Sequence, residues 1–180
     1  LYAFDNGLSP YVSYSTSFNP TSNYSDGAQI LEPTTGEQWE FGLKFQPPGT
    51  EDLYTLSFFS IEMENLFAKE NNFTDSYEYK GVGGIDSRGV EFEARVQLTD
   101  NLQLLGSYTY NDVEYSKSYY IFADNTYTNV VDAKGNTPYQ TPGQMGSLWA
   151  DYAFKDGLLA GLTIGAGAVS YTHLTLPTIC

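Results

Sequence analysis

The feature that most constrains the fold is an alternation of apolar and polar residues with a period of two. It is clearest in residues 87–98, where Val90 and Phe92 lie on one parity and Glu91 and Glu93 on the other. Successive side chains of a β-strand point to opposite faces of its sheet, so this period predicts strands with one apolar face. The alternation is found in seven segments, at residues 10–18, 37–46, 53–65, 87–98, 102–110, 144–154 and 162–168. We therefore predict an all-β fold.

Two kinds of irregularity interrupt the alternation. In segment 53–65 the apolar parity changes between Phe58 and Phe59. We interpret this change as a β-bulge, because a bulge inserts one residue and reverses the faces that follow. Leu105 and Trp149 are apolar at positions where the pattern calls for polar residues, and the pattern alone does not explain them.

The connections between the segments are short and long in turn. The short ones run from an apolar residue through Asp, Asn, Gly or Pro, which favour tight turns, to a leucine. They are Phe4 to Leu8, Phe45 to Leu53, Leu98 to Leu102 and Phe154 to Leu158, whereas the long ones cover about 19–35, 66–85 and 116–141. Transmembrane β-barrels combine short periplasmic turns with long extracellular loops. We therefore predict that about seven antiparallel strands form part of the wall of a large transmembrane β-barrel.

Charge and composition exclude several functions. The chain has 22 acidic and 8 basic residues, for a net charge of −14, which disfavours nucleic acid as a partner because its phosphates would be repelled. No apolar run reaches about 18 residues, so no transmembrane helix is expected. The one Cys and one His are Cys180 and His173, near the end of the chain. The remainder can form neither a Cys/His zinc site nor a Ser-His-Asp triad, and we expect no enzyme activity.

Six motifs, in order along the chain, resemble strands of the TonB-dependent siderophore receptors. Two of them are G-E-Q-W-E-F-G-L-K at residues 36–44 and S-R-G-V-E-F-E-A at residues 87–94. The other four are S-T-S-F-N-P at 15–20, Y-T-Y-N-D at 108–112, T-P followed by L-W-A-D-Y within 141–152, and G-L-T-I-G-A-G at 161–167. The sequence is most similar to ferrichrome- or hydroxamate-type receptors. It departs from them after Pro142, where Gly143-Gln144-Met145 replaces a basic pair that such receptors often have.

The resemblance implies a fragment of a receptor that binds a ferric siderophore and imports it across the bacterial outer membrane with energy from TonB. Such barrels have about 22 strands and a plugged lumen, so seven strands would supply only part of the wall. The implied partners are outer-membrane lipid, the ferric siderophore and, through an N-terminal plug that this sequence lacks, the TonB complex. The siderophore would be transported, with no cofactor bound directly. Two alternatives stay open: a passive porin-type or adhesin-type barrel, and a soluble β-sandwich binding domain.

Two groups of candidate functional residues follow, none of them catalytic. Aromatic residues in the long connections offer large contact areas with polar tips, which suit an organic chelate. The candidates for ligand capture are Tyr77, Tyr79, Tyr119, Tyr120, Phe122 and Tyr127. The candidates for ion pairs in the lumen are the charged residues on the polar parity, Glu40, Lys44, Glu91, Glu93 and Arg95. We predict no metal site, because Asp112, Asp124 and Asp132 do not have the spacing of a calcium-binding EF-hand loop.

The two ends of the sequence carry separate expectations. The chain begins at Leu1 without a methionine, so we expect it to be part of a longer protein. Residues 169–178 resemble an in-frame translation of an adapter used in sequencing libraries. We therefore predict a barrel segment at 1–168 and a non-native tail at 169–180, and we assign no chemistry to His173 or Cys180.

Overall fold

The computed structural model describes residues 1–20, 32–71, 77–117 and 134–172, and it describes their side chains except at 67–71 and 77–82. The strands in these ranges are β1 (Leu8–Asn19), β2 (Thr34–Phe45), β3 (Leu53–Asn71), β4 (Tyr77–Gln97), β5 (Leu102–Tyr115), β6 (Gln144–Ala153) and β7 (Thr163–Tyr171). A 3-10 turn at Gly157–Leu159 precedes β7. The described ranges contain no helix that is long and apolar enough to cross a membrane.

The seven strands form one antiparallel sheet in which each strand pairs with the next along the chain. This up-and-down order needs no crossover connection. The connections therefore alternate between the two ends of the sheet, with the short ones at one end and the long ones at the other. The predicted all-β class and antiparallel order are confirmed. The predicted boundary at residue 168 stays a prediction; β7 continues past it, and Tyr171 pairs with Met145 of β6.

The four predicted short connections lie at the same end of the sheet, which we call the turn end. In the first, Phe4 N–H donates to the Leu8 carbonyl at 2.8 Å, and Gly7 adopts a left-handed φ of 89° that favours glycine. The fourth is longer than predicted. It runs through the 3-10 turn and closes where Phe154 N–H donates to the Leu162 carbonyl at 2.8 Å.

Each of the first three turns also holds the end of a strand outside its own hairpin. The Gly7 carbonyl accepts from Gln46 N–H at 3.0 Å, just after β2. The Asp52 carboxylate accepts from Gln97 N–H at 2.7 Å, at the end of β4. Asn101 Nδ2 donates to the Ala153 carbonyl at 2.7 Å, at the end of β6. These three contacts, which we call turn staples, satisfy backbone groups that would otherwise lack a partner where the strands end.

The register gives the sheet one apolar and one polar face. A row of directly paired residues across β1 to β5 lies on the apolar face: Val12, Phe41, Phe58, Val90 and Tyr110. The next row, one residue along each strand, lies on the polar face: Tyr11, Gly42, Ser57, Glu91 and Thr109. The alternation in the sequence therefore places the apolar and polar residues on opposite faces of one sheet.

The predicted β-bulge at Phe58–Phe59 is wrong. Pairing of β3 with both neighbours runs without a break from residue 54 to 63, and the register shifts only between Met63 and Phe67. Phe59, Ile61 and Met63 are therefore on the polar face, opposite to Phe58. The parity change arises because Phe59, Ile61 and Met63 are apolar residues on the polar face. The hydrophobicity pattern alone cannot distinguish this arrangement from the insertion of one residue.

The predicted long connection at 66–85 is also wrong, because most of it is strand. Pairing of β3 with β4 continues from Leu66 opposite Gly83 to Asn71 opposite Tyr77. Strand pairing therefore continues into residues whose sequence shows no alternation.

The sheet encloses no conventional core. In the described ranges Val113, which is 8% exposed, is the buried hydrophobic residue, whereas Val12 and Phe41 are each 56% exposed. An apolar face of this extent would be unfavourable in water. It is suited to contact with lipid, where a closed sheet satisfies every backbone group.

Candidate functional site

The polar face is built around hydrogen bonds between neighbouring strands. The Tyr11 hydroxyl on β1 donates to Oε1 of Glu40 on β2, and Gln38 Nε2 donates to Oε2 of the same carboxylate at 3.2 Å. Lys44 Nζ lies 5.4 Å from the centroid of the Tyr11 ring, in the range of a cation–π contact. Glu40 is therefore held by two neutral donors, and Lys44 contacts the ring of one of them.

The other charged candidates lie further along the same face. Glu91 accepts from Thr109 Oγ1 at 3.3 Å, and Arg95 Nη2 donates to the Glu51 carbonyl at 3.4 Å. Glu93 and Arg95 line an open cleft of about 270 Å³ together with Trp149. Within the described part of the chain, the five lumen candidates do not form ion pairs with one another. Their pairing across a closed barrel stays a prediction.

Three aromatic rings on the polar face each lie flat over a glycine that is their direct partner on the next strand. Tyr11 is paired with Gly42, Phe59 with Gly89 and Trp149 with Gly167. In each pair, a Cβ built on the glycine would overlap the ring. Glycine thus lets a ring pack along the sheet instead of standing away from it, as in the aromatic rescue of strand glycines.

These pairs explain an exception in the sequence pattern. Trp149 breaks the alternation because its ring lies on the polar face over β7, and its Nε1–H donates to Asp151 Oδ2 at 2.8 Å. Sequence reasoning singled out Trp149 as irregular but missed Tyr11, Gly42 and Phe59 as functional candidates. The signal was the glycine at the opposing position, which is visible only when the register is known.

Aromatic residues on the apolar face form two levels. At the upper level, away from the turns, the rings of Tyr14 and Trp39 have centroids 4.7 Å apart. At the turn end, those of Phe45 and Tyr54 are 6.2 Å apart. Six residues separate Trp39 from Phe45, or about 20 Å at ~3.4 Å per residue. This approaches the ~25 Å apolar band, flanked by aromatic girdles, of transmembrane barrels.

A row of carboxylates follows the upper girdle on the same face. Glu37, Glu62, Asp86 and Glu114 are successive direct partners on β2 to β5. Like charges directly opposite each other are unfavourable, so this row is typical of a level in contact with water. The described side chains include no group of three or more acidic, His or Cys residues arranged to hold a metal ion.

One cation lies beside this carboxylate row. Lys117 Nζ is 2.6 Å from Glu64 Oε1. The hydrogen bond and charge of Glu64 raise the pKa of Lys117, and the carboxylates of Glu62 and Asp86 add to the effect. Lys117 thus offsets part of the negative charge where β3, β4 and β5 extend beyond the girdle.

The six ligand-capture candidates lie in two parts of the chain. Tyr77 and Tyr79 belong to β4, at its end far from the turns, but their side chains are not among those described. Tyr119, Tyr120, Phe122 and Tyr127 lie outside the described residues. Their role in capture stays a prediction.

Comparison with known proteins identifies the family. A family model described as TonB dependent receptor-like, beta-barrel, matches residues 1–175. The chain belongs to this family. The members of this family are outer-membrane transport receptors.

Relatives and solved structures agree with this assignment. The chain is 40% identical to the Ferrioxamine B receptor of Salmonella typhimurium LT2, over 93% of the chain and 22% of that protein. It is 43% identical to the Ferrichrome outer membrane transporter/phage receptor of Escherichia coli K12, over 92% of the chain and 20% of that protein. The ferripyoverdine receptor of Pseudomonas aeruginosa superposes with a TM-score of 0.70 at 25% identity, covering 93% of this chain and 21% of its own.

A second structure, the siderophore receptor PiuA from Acinetobacter baumannii, gives a TM-score of 0.70 at 26% identity and covers 94% of this chain and 24% of its own. The chain thus spans about a fifth of the length of the curated relatives it matches. The sheet is one arc of a larger barrel, and the soluble β-sandwich is wrong.

Proposed function

We propose that the chain is part of a receptor that captures a ferric siderophore of the hydroxamate type and imports it through the outer membrane with energy from TonB. The observation that carries this proposal is the identity of 40–43% to receptors for ferrioxamine B and ferrichrome over more than nine-tenths of the chain. The role of this arc would be to form lipid-facing wall on one side and lumen wall on the other.

Capture would take place at the end of the sheet away from the turns. The proposed contacts are the six aromatic candidates, whose rings offer large and rigid surfaces to an organic chelate. The five charged candidates project from the polar face into the lumen, where we propose that they pair with groups on facing elements of the complete receptor. The TonB complex would act through a plug in the lumen, consistent with large barrels of this type.

The test uses the full-length receptor that contains this segment, produced in a bacterium without its own ferric hydroxamate receptors. We expect uptake of radioactive iron from ferrichrome or ferrioxamine B, and we expect a proton uncoupler or loss of TonB to abolish it. Uptake that persists without energy would indicate a passive barrel. No uptake from any ferric hydroxamate would refute the proposed substrate class.

A matched pair of variants tests the capture residues. Replacing Tyr119 and Tyr120 by alanine should weaken chelate binding several-fold, with uptake still dependent on TonB. The control is Tyr139→Ala, since Tyr139 is exposed and lies outside the candidate set. Equal binding by both variants and the unaltered receptor would remove Tyr119 and Tyr120 from the capture site.

A further inference from the structure

The three ring-over-glycine pairs share one side of the wall. Gly42 has the same parity as Glu40 and Lys44, and Gly89 has the same parity as Glu91, so both lie on the lumen face. Gly167 is opposite Trp149, which in turn pairs with Leu105, the partner of Arg95 on the same face. Three separate strand pairs thus use the same arrangement on the side along which a solute would pass.

Gly106 and Gly146, which lie on the lipid face, are different. A Cβ on Gly106 would find its nearest neighbour, Leu148 Cδ1, at 3.8 Å, and one on Gly146 would find the Ser107 carbonyl at 3.6 Å. Both are ordinary van der Waals distances, so no ring depends on these glycines. Aromatic side chains on this face project outward, as Tyr108 and Tyr110 do at 44% and 45% exposure.

The rings on the lumen face keep their polar tips within the wall. The Tyr11 hydroxyl is bonded to Glu40, and Trp149 Nε1–H to Asp151 at 2.8 Å. With these donors already bonded, the rings offer a solute mainly dispersion contacts, which are weak and non-directional. Such a surface suits passage better than capture.

We propose that Gly42 is a clearance residue, as are the glycines opposite Phe59 and Trp149. A clearance residue is one that allows an aromatic ring to lie against the wall and so keeps the lumen wide enough for a bulky ferric chelate. The inference rests on the proposed function and adds residues for the transport step. A side chain at Gly42 would force the Tyr11 ring away from the wall, because ring and Cβ cannot occupy the same space. The displaced ring would also lose its bond to Glu40.

Gly42 is the best position for a test. The three atoms nearest to a Cβ built there all belong to the end of the Tyr11 side chain, which can move. At Gly89 the Cβ would also meet the Tyr110 carbonyl, so a variant there would disturb the backbone. Gly42→Ala therefore perturbs a ring and not the sheet.

The experiment compares four variants of the full-length receptor: Gly42→Ala, Tyr11→Ala, the two combined, and Gly106→Ala as the lipid-face control. Three quantities are measured: affinity for ferric hydroxamate, maximal uptake rate, and oxidation of Tyr11 in hydroxyl-radical footprinting of outer membranes. For Gly42→Ala we expect unchanged affinity, several-fold slower uptake and several-fold more oxidation of Tyr11. Adding Tyr11→Ala should restore uptake, because the obstructing ring is then gone. Gly106→Ala should match the unaltered receptor.

Three outcomes would overturn the inference. The first is unchanged oxidation of Tyr11 in Gly42→Ala. The second is normal uptake by Gly42→Ala although the oxidation of Tyr11 has increased. The third is slow uptake by Gly42→Ala that the addition of Tyr11→Ala does not restore. Failure of the proposed function is distinct, since the unaltered receptor would then take up no ferric hydroxamate. Even in that case an unchanged Tyr11 footprint would overturn the claim that Gly42 holds the ring against the wall.

Discussion

Val12 and Ser13 are adjacent on β1 and lie on opposite faces, which makes them a matched pair for locating the lipid. Val12 is between the girdle levels of Tyr14 and Phe45, about one residue, or ~3 Å, from the middle of the apolar band. A lysine facing lipid near the midplane costs about 2–4 kcal/mol. At 1.36 kcal/mol per tenfold, Val12→Lys should lower the folding equilibrium constant by roughly thirty-fold to almost a thousand-fold.

The same lysine at Ser13 should have little effect. Ser13 pairs directly with Glu40, so Ser13→Lys places a cation in a hydrated lumen beside a carboxylate. A change within about 0.5 kcal/mol is expected for such a substitution. The assay is urea-induced unfolding of the full-length receptor in lipid vesicles, followed by the mobility of unheated samples on gels. If Ser13→Lys destabilised the receptor as much as Val12→Lys, the assignment of the two faces would be refuted.

Three further perturbations have expected outcomes. Asp52→Ala removes one turn staple and should lower stability by about 1 kcal/mol, measured as faster hydrogen exchange at the end of β4. The control is Asp100→Ala, which breaks no hydrogen bond in the described structure and should leave the exchange rate unchanged. The raised pKa of Lys117 means that its contribution to stability is complete below the ordinary lysine pKa of 10.5 and is lost as pH rises through the higher folded value. Exchange protection of the upper ends of β3 and β5 should therefore fall above about pH 10.5, and Lys117→Met should remove this dependence and lower protection at neutral pH. Trp149→Phe keeps a ring over the glycines but loses the bond to Asp151, so it should cost about 1 kcal/mol in urea unfolding and Trp149→Ala clearly more.

The apolar face could be predicted from the sequence because transmembrane barrels follow a simple rule. Residues on one face of each strand must be apolar, so the parity of Val90 and Phe92 marks both a strand and its orientation. The short turns could also be predicted, since Asp and Asn in the first and third turns favour tight reversals. Order and pairing then followed from the alternation of short and long connections.

The remaining features of the fold could not be predicted, because they depend on contacts between strands whose register the sequence does not give. Phe59 looked like evidence of a bulge, but it packs over Gly89 on the adjacent strand. The upper parts of β3 and β4 are paired although their sequences show no alternation. The staple between Asp52 and Gln97 joins residues 45 positions apart and leaves no local signal.

The turn staples have a consequence for how a barrel of this kind can change in evolution. Each staple joins one hairpin to the strand of the following hairpin, as Asn101 does with Ala153. The repeating unit that closes its own hydrogen bonds is therefore not the hairpin but a turn plus the first strand of the following hairpin. A duplicated or exchanged hairpin would need a compatible residue in the turn before it, so the turn end constrains how strands of the wall can be added or replaced.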